Sequence, residues 1–305
     1  MESLDLIKQK PPKSWWTPIL VIVLMFVLAG GLGTGLLMWG FSLISGQAAF
    51  DEKTASGALA ALFGFLFPLL GIIMYNRLVN KRSLRALGFV REKWLLTYAK
   101  GFALGTVCLL AIVLVATLFG GFKLSVTPQP DWLLLLGLLV GFMVQGLTEE
   151  VLCRAYLQNS VAAYKGQKWG IMVSALLFTL LHASNNGLAF LPILNLFLFG
   201  LVFSLLYALT DNILLVGAAH SAWNFMQGPV MGVKVSGNQL ATSVLNAEAT
   251  NRLNFVSGGA FGIEGSILTT IVGLILITWL FKTLERKWVY VYSNYFYRNE
   301  QLFWS

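Results

Sequence analysis

Glu149, Glu150, Arg154, His182, His220 and Asn224 stand out because each lies in an otherwise apolar stretch, and the chain's only two histidines are among them. Ionisable groups are costly inside a membrane, and those that persist usually face a polar cavity and carry function. A carboxylate in a poorly solvated site holds its proton more tightly. A Glu and a His that share a water can therefore take its proton and later return it. A second His with an Asn can donate to the oxyanion that forms when water attacks a peptide carbonyl. Those are the parts of an amide hydrolase.

Spacing then assigns faces. Glu150 and Arg154 are four apart on one helix face and can pair, whereas Glu149 points about 100° away and is free to act on something else. His220 and Asn224 are also four apart and project together. The plainer reading of Glu150 with Arg154 is structural, since each charge offsets the burial of the other. A lone Asn in a span ordinarily makes an interhelical hydrogen bond, and a lone His can be a packing residue. Two histidines together with an unpaired Glu favour a functional site.

The elements that must position these groups are membrane spans. Of 305 residues, 57% are hydrophobic and 11% charged, against about 25% charged in soluble proteins, and the mean hydropathy is +0.74. Lipid is the solvent for most of such a chain. The net charge of +8 clusters in loops beside apolar runs, which makes it an orientation signal rather than a nucleic-acid surface. Cys108 and Cys153 both sit in apolar segments, where a buried thiol is more ordinary than a disulfide.

Windows of roughly 20 apolar residues fall near 16–44, 57–75, 95–119, 132–153, 168–185, 191–209, 212–231 and 265–281. The expected fold is all-α: a polytopic membrane protein of about eight transmembrane helices around a buried polar cavity. The fourth helix should run on to about Tyr164, too long to stand upright in a bilayer. Arg77, Lys81, Arg82, Arg85, Arg91 and Lys93 lie between the second and third spans, so that loop should be cytoplasmic. Alternation puts both termini on the same side, with Lys8, Lys10, Lys13, Lys165, Lys168, Lys282, Arg286 and Lys287. The loops near 46–56, 120–131, 186–190 and 232–264 carry few positive charges.

This gives a cytoplasmic segment at 1–15, one membrane domain at 16–285 and an aromatic-rich interfacial tail at 286–305. The stretch from Arg82 to Trp94 reads as an interfacial segment with its apolar side dipped into lipid. Counted from the inner helix ends, His220, Asn224, His182 and Glu149 lie about 13, 20, 21 and 24 Å deep, so one shared site is possible.

Three motifs follow in order on successive spans: Glu149-Glu150-Val-Leu-Cys-Arg154 (EExxxR), Phe178-Thr-Leu-Leu-His182 (FxxxH) and His220-Ser-Ala-Trp-Asn224 (HxxxN). Together they resemble the CPBP intramembrane protease family, also called the Abi or CAAX-protease family. The resemblance spans about Arg82 to Leu280, and softer matches are Ala-Leu-Gly-Phe at 86–89 and Phe261-Gly-Ile-Glu264-Gly-Ser. It implies an eight-span helical fold, with Glu149 and His182 activating water, His220 and Asn224 binding the oxyanion, and Arg154 positioning Glu150. Glu264 would stand at the outer mouth. Ala155 replaces the glycine common after the motif arginine, and Cys153 a larger apolar residue; both touch packing more than chemistry.

The expected substrate is a membrane-embedded or lipidated peptide or protein: a prenylated C-terminal tail in eukaryotic relatives, whereas bacterial relatives are linked to peptide-signal processing and bacteriocin immunity. No cofactor is expected, since water activation by Glu and His needs none and no HExxH helix is present. The alternative is one Zn2+ on Glu149, His182 and His220 with an open fourth position. Two rival functions are a non-catalytic scaffold or immunity protein of the same fold, and a proton-coupled transporter. The second is disfavoured by the absence of repeated halves.

Overall fold

The computed structural model describes residues 1–45, 54–250 and 253–303, with side chains described as far as 43 in the first stretch and 287 in the last. Most of the expected 46–56 loop and the aromatic side chains of the tail lie outside the described residues. The short helix α1 (Glu2–Gln9) precedes the spans α2 (Thr17–Leu43), α3 (Ala55–Val79) and α4 (Trp94–Leu118). Next come strand β1 (Phe122–Val126), the helix α5 (Trp132–Lys165) and the shorter α6 (Gln167–Leu181). The chain continues through α7 (Phe190–Thr210), α8 (Ile213–Phe225), β2 (Leu245–Ala249) and α9 (Ile267–Lys287).

The protein is a polytopic all-α membrane protein. Six helices among the described residues are long and apolar enough to cross a bilayer. Helices α6 and α8 stand where the fifth and seventh spans were expected, but have 15 and 13 residues, about 20 Å each. A π-helical turn, Met226–Val230, extends α8. Helix α5 is continuous for 34 residues, about 51 Å, as its expected run to Tyr164 required.

Local chemistry sets several boundaries. Asp131 caps α5 by accepting from the Leu134 N–H at 2.9 Å, and Asn212 caps α8 by accepting from the Leu214 N–H at 3.1 Å. Such caps satisfy amides that the first turn leaves free. Asp211, at φ 51°, ends α7 in the left-handed region, a conformation that short polar residues tolerate, so α8 starts only two residues on.

Helix α8 is held on two sides by close backbone approach. A Cβ at Gly101 or Gly105 of α4 would collide with the backbone carbonyls of Leu215 and Ala219, and one at Gly146 of α5 would meet the Ser221 nitrogen at 2.7 Å. Small residues at membrane helix contacts allow this proximity, which strengthens dispersion where lipid offers no hydrophobic drive.

The expected positive loops meet on one face, called here the basic face. Lys10 Nζ donates to the Lys81 carbonyl at 2.8 Å, Arg82 donates to the Lys10 carbonyl, and Arg85 bridges Glu2 and Asp211 at 2.8 and 3.1 Å. Lys287 Nζ reaches the Leu209 carbonyl at 2.8 Å. The Arg82–Trp94 stretch, expected at the interface with its apolar side in lipid, leaves Leu84 and Trp94 exposed and buries Leu87. It contains a single 3-10 turn, Leu84–Leu87, whose Ala86 and Leu87 are buried against protein. Gly88 takes φ 73° where a Cβ would strike the Tyr207 ring.

The opposite face carries the one two-stranded sheet among the described residues. β1 pairs antiparallel with β2, Phe122 opposite Ala249 and Val126 opposite Leu245. This ties the loop after α4 to the loop after α8.

Candidate active site

The EExxxR motif sits where α5 turns from α-helical to π-helical, the π stretch being Val151–Gln158. Such turns are rare and recur at functional sites. Arg154 Nη1 donates to Glu150 Oε1 at 3.0 Å, and both side chains are 0% exposed. The same oxygen accepts from His220 Nδ1 at 2.8 Å. Pairing between Glu150 and Arg154 follows from their four-residue spacing; the additional use of Glu150 by His220 does not. The Arg154 guanidinium also lies 4.3 Å from the Phe178 ring centroid, a cation–π contact that helps offset its burial.

His220 is fixed on several sides. Its ring stacks on Phe203 with centroids 5.1 Å apart and meets Phe178 edge-on at 6.0 Å. A carboxylate only accepts, so Nδ1 carries the hydrogen given to Glu150. The other nitrogen, Nε2, lies 3.8 Å from Glu149 Oε2. His220 thus stands between the two motif carboxylates.

Glu149 Oε1 accepts from Gln145 Nε2 at 3.1 Å, and Gln145 Oε1 accepts from Asn224 Nδ2 at 3.2 Å. One amide therefore links the α5 carboxylate to the α8 asparagine. Glu149 Oε2 is buried with no hydrogen-bond partner among the described residues. His182 follows the last turn of α6, where Nδ1 donates to the Phe178 carbonyl at 2.8 Å, leaving Nε2 as the nitrogen able to take a proton. Phe178 packs on the His182 ring at 4.6 Å.

Two cavities meet at these residues. One, of about 480 Å³, is lined by His182, His220, Asn224, Gln145 and Glu264 among others. The second, of about 930 Å³, is lined by Glu149, His182, Gln145 and Ser236 together with apolar residues of α3. His182, Gln145 and Ser236 belong to both, so the two spaces adjoin. Glu150 and Arg154 line neither, and they hold His220 from behind.

Gln145, Asn195 and the anchoring of Glu264 are absent from the sequence expectations. Asn195 Nδ2 donates to the Glu264 and Ser266 carbonyls at 2.7 and 2.8 Å, which pins the loop before α9 against α7. Glu264 Oε2 accepts from the Ser236 N–H at 2.6 Å and from Gln227 Nε2 at 3.1 Å. Burial raises the Glu264 carboxyl above its ordinary value, while the Ser236 N–H and the Gln227 side chain pull the other way.

The zinc alternative needs three ligand atoms around one point. Among the described residues no group of three His, Cys, Asp or Glu side chains is placed to hold a metal ion, although His220, bonded to Glu150 through Nδ1, keeps Nε2 free.

All six motif residues fall within one matched segment. Residues 130–226 match the family model of the type II CAAX prenyl endopeptidases, Rce1-like. This is a family of membrane proteases, and the match agrees with the resemblance carried by the three motifs. No curated protein and no solved structure gave a significant match to the chain.

Proposed function

We propose that this protein is an intramembrane endopeptidase that hydrolyses a peptide bond in a membrane-associated peptide or protein, lipidated or hydrophobic, with Glu149 as proton acceptor. The observation that carries the proposal is the unpaired Glu149 Oε2, buried beside His220 Nε2 and lining a cavity that His182 also lines. The prenylated CAAX peptides from which the matched family takes its name are one member of this substrate class.

In the proposed reaction a water held between Glu149 and His182 loses a proton to Glu149 as its oxygen bonds to the scissile carbonyl carbon. The carbonyl becomes an oxyanion that accepts from Asn224 Nδ2 and from Nε2 of His220 in its imidazolium form, the Nδ1 hydrogen staying with Glu150. Collapse breaks the C–N bond, and the proton on Glu149 passes to the leaving amine. Gln145 holds Glu149 Oε1, which keeps Oε2 turned to the water. Glu150, shared between Arg154 and His220, fixes which imidazole nitrogen faces the oxyanion.

Glu149→Gln keeps the side chain's shape and removes the base. Cleavage of lipidated or hydrophobic peptides by purified protein should fall by roughly 10²–10⁴-fold, with unchanged thermal unfolding. Cleavage at the parent rate by this variant would end the proposal.

A further inference from the structure

The two faces of the protein differ in access. Residues 151–162 are buried without a break, and with α1 docked beneath them through Ser3 and Ile7, both 0% exposed, they close the site from the basic face. No lining residue of either cavity comes from the basic-face loops. The loops that do contribute lie on the opposite face: Ser236, Asn238, Gln239 and Leu240 before β2, Asn185 after α6, and Glu264 before α9. Asn238 and Gln239 are exposed there. A groove of about 1010 Å³ runs over this same face along β2 and shares Gln239 with the larger cavity.

Charge assigns the faces to compartments. Lys and Arg in short loops mark the cytoplasmic side, and the loops of 77–93, 165–168 and 282–287 meet on the closed face together with Lys8, Lys10 and Lys13. Among the described residues the open face carries only Lys123 and Lys234 in its loops.

We infer that the site opens away from the cytoplasm, and that its substrate is an extended polypeptide presented from the extracytoplasmic leaflet, a translocated hydrophobic or lipid-anchored peptide rather than a cytosolic tail. The substrate class rests on the endopeptidase reading; the direction of access does not. An extended chain lying along β2 and passing the Gln239 edge reaches Glu149 and His182 without crossing the buried plug at 151–162. A cytosolic tail would have to cross it.

The test uses full-length Gln239→Cys and Lys168→Cys, each with Cys108→Ala; Cys153 is 0% exposed and stays unreactive. A membrane-impermeant polyethylene-glycol maleimide applied to intact cells should label position 239, and should label position 168 only once the membrane is opened. In purified protein the adduct at 239 should slow cleavage of a quenched hydrophobic peptide at least tenfold, and the adduct at 168 should leave it within twofold. Labelling of position 239 only in opened cells would overturn the direction of access. Full cleavage with the bulky adduct at 239 would overturn the route. A parent protein that cleaves no hydrophobic or lipidated peptide removes the endopeptidase reading and the substrate with it, while the labelling pattern still decides which compartment the site faces.

Discussion

Asp211 on the basic face and Glu149 in the cavity are both largely buried carboxylates, and their surroundings differ. Asp211, 13% exposed, uses both oxygens: Oδ2 accepts from Arg85 at 3.1 Å and from the Ser3 N–H at 3.2 Å, and Oδ1 accepts from the Ser3 hydroxyl. Ser3 is in turn bonded by Asn159 at 2.9 Å and Tyr207 at 3.2 Å. Glu149, 4% exposed, has one oxygen held and one without a partner, 3.8 Å from an imidazole nitrogen. A carboxylate with every lone pair engaged fastens elements together. One with a free oxygen beside a proton carrier can exchange protons, and a buried unpaired oxygen is costly enough to require a reason.

The largest effect that would sharpen this contrast lies behind the site. Arg154→Leu leaves Glu150 with His220 alone, and breaking a buried ion pair costs about 3–5 kcal/mol. Thermal unfolding in detergent should show that loss. A variant as stable as the parent would mean the pair contributes no net stability.

A smaller effect is expected at the link between helices. Gln145→Leu removes a hydrogen bond to a carboxylate, about 1.5–3 kcal/mol, so kcat should fall roughly 10- to 100-fold with KM little changed. A change confined to KM would place Gln145 in substrate binding instead of orientation of Glu149.

The smallest effect belongs to the basic face. Ser3→Ala removes hydroxyl bonds to Asp211, Asn159 and Tyr207 and should cost about 1 kcal/mol of stability, leaving peptide cleavage at the parent rate. If cleavage fell instead, the separation between a fastening cluster and a reactive one would fail.

Much of the fold was legible because membrane spans are written in composition: every expected apolar window contains a helix, and Glu150 with Arg154 follows from a four-residue spacing. The same rule points to Gln145 and Glu149, also four apart, but a neutral amide carries no alarm in an apolar run. The contact of His220 with Glu150 depends on the rotation of α8 about its axis, which span prediction does not fix. Asn195 and Glu264 meet across 69 positions of chain, and β1 meets β2 across a longer interval, so neither encounter has a local signal. Within Arg82–Trp94 the sequence does not separate the exposed Leu84 from the buried Leu87, because alternating basic and apolar residues suit a lipid surface and a docked turn equally well.

The glycine seams around α8 restrict how this protein can move. With Gly101 and Gly105 on one flank and Gly146 on the other, the rod bearing His220 and Asn224 is keyed into its neighbours and can neither slide nor roll without lifting two helices apart. Under the proposed function, admission of a peptide therefore falls to the turns above the rod, at 182–190 and 232–240. Changes there should alter what is accepted while leaving the reacting groups in place.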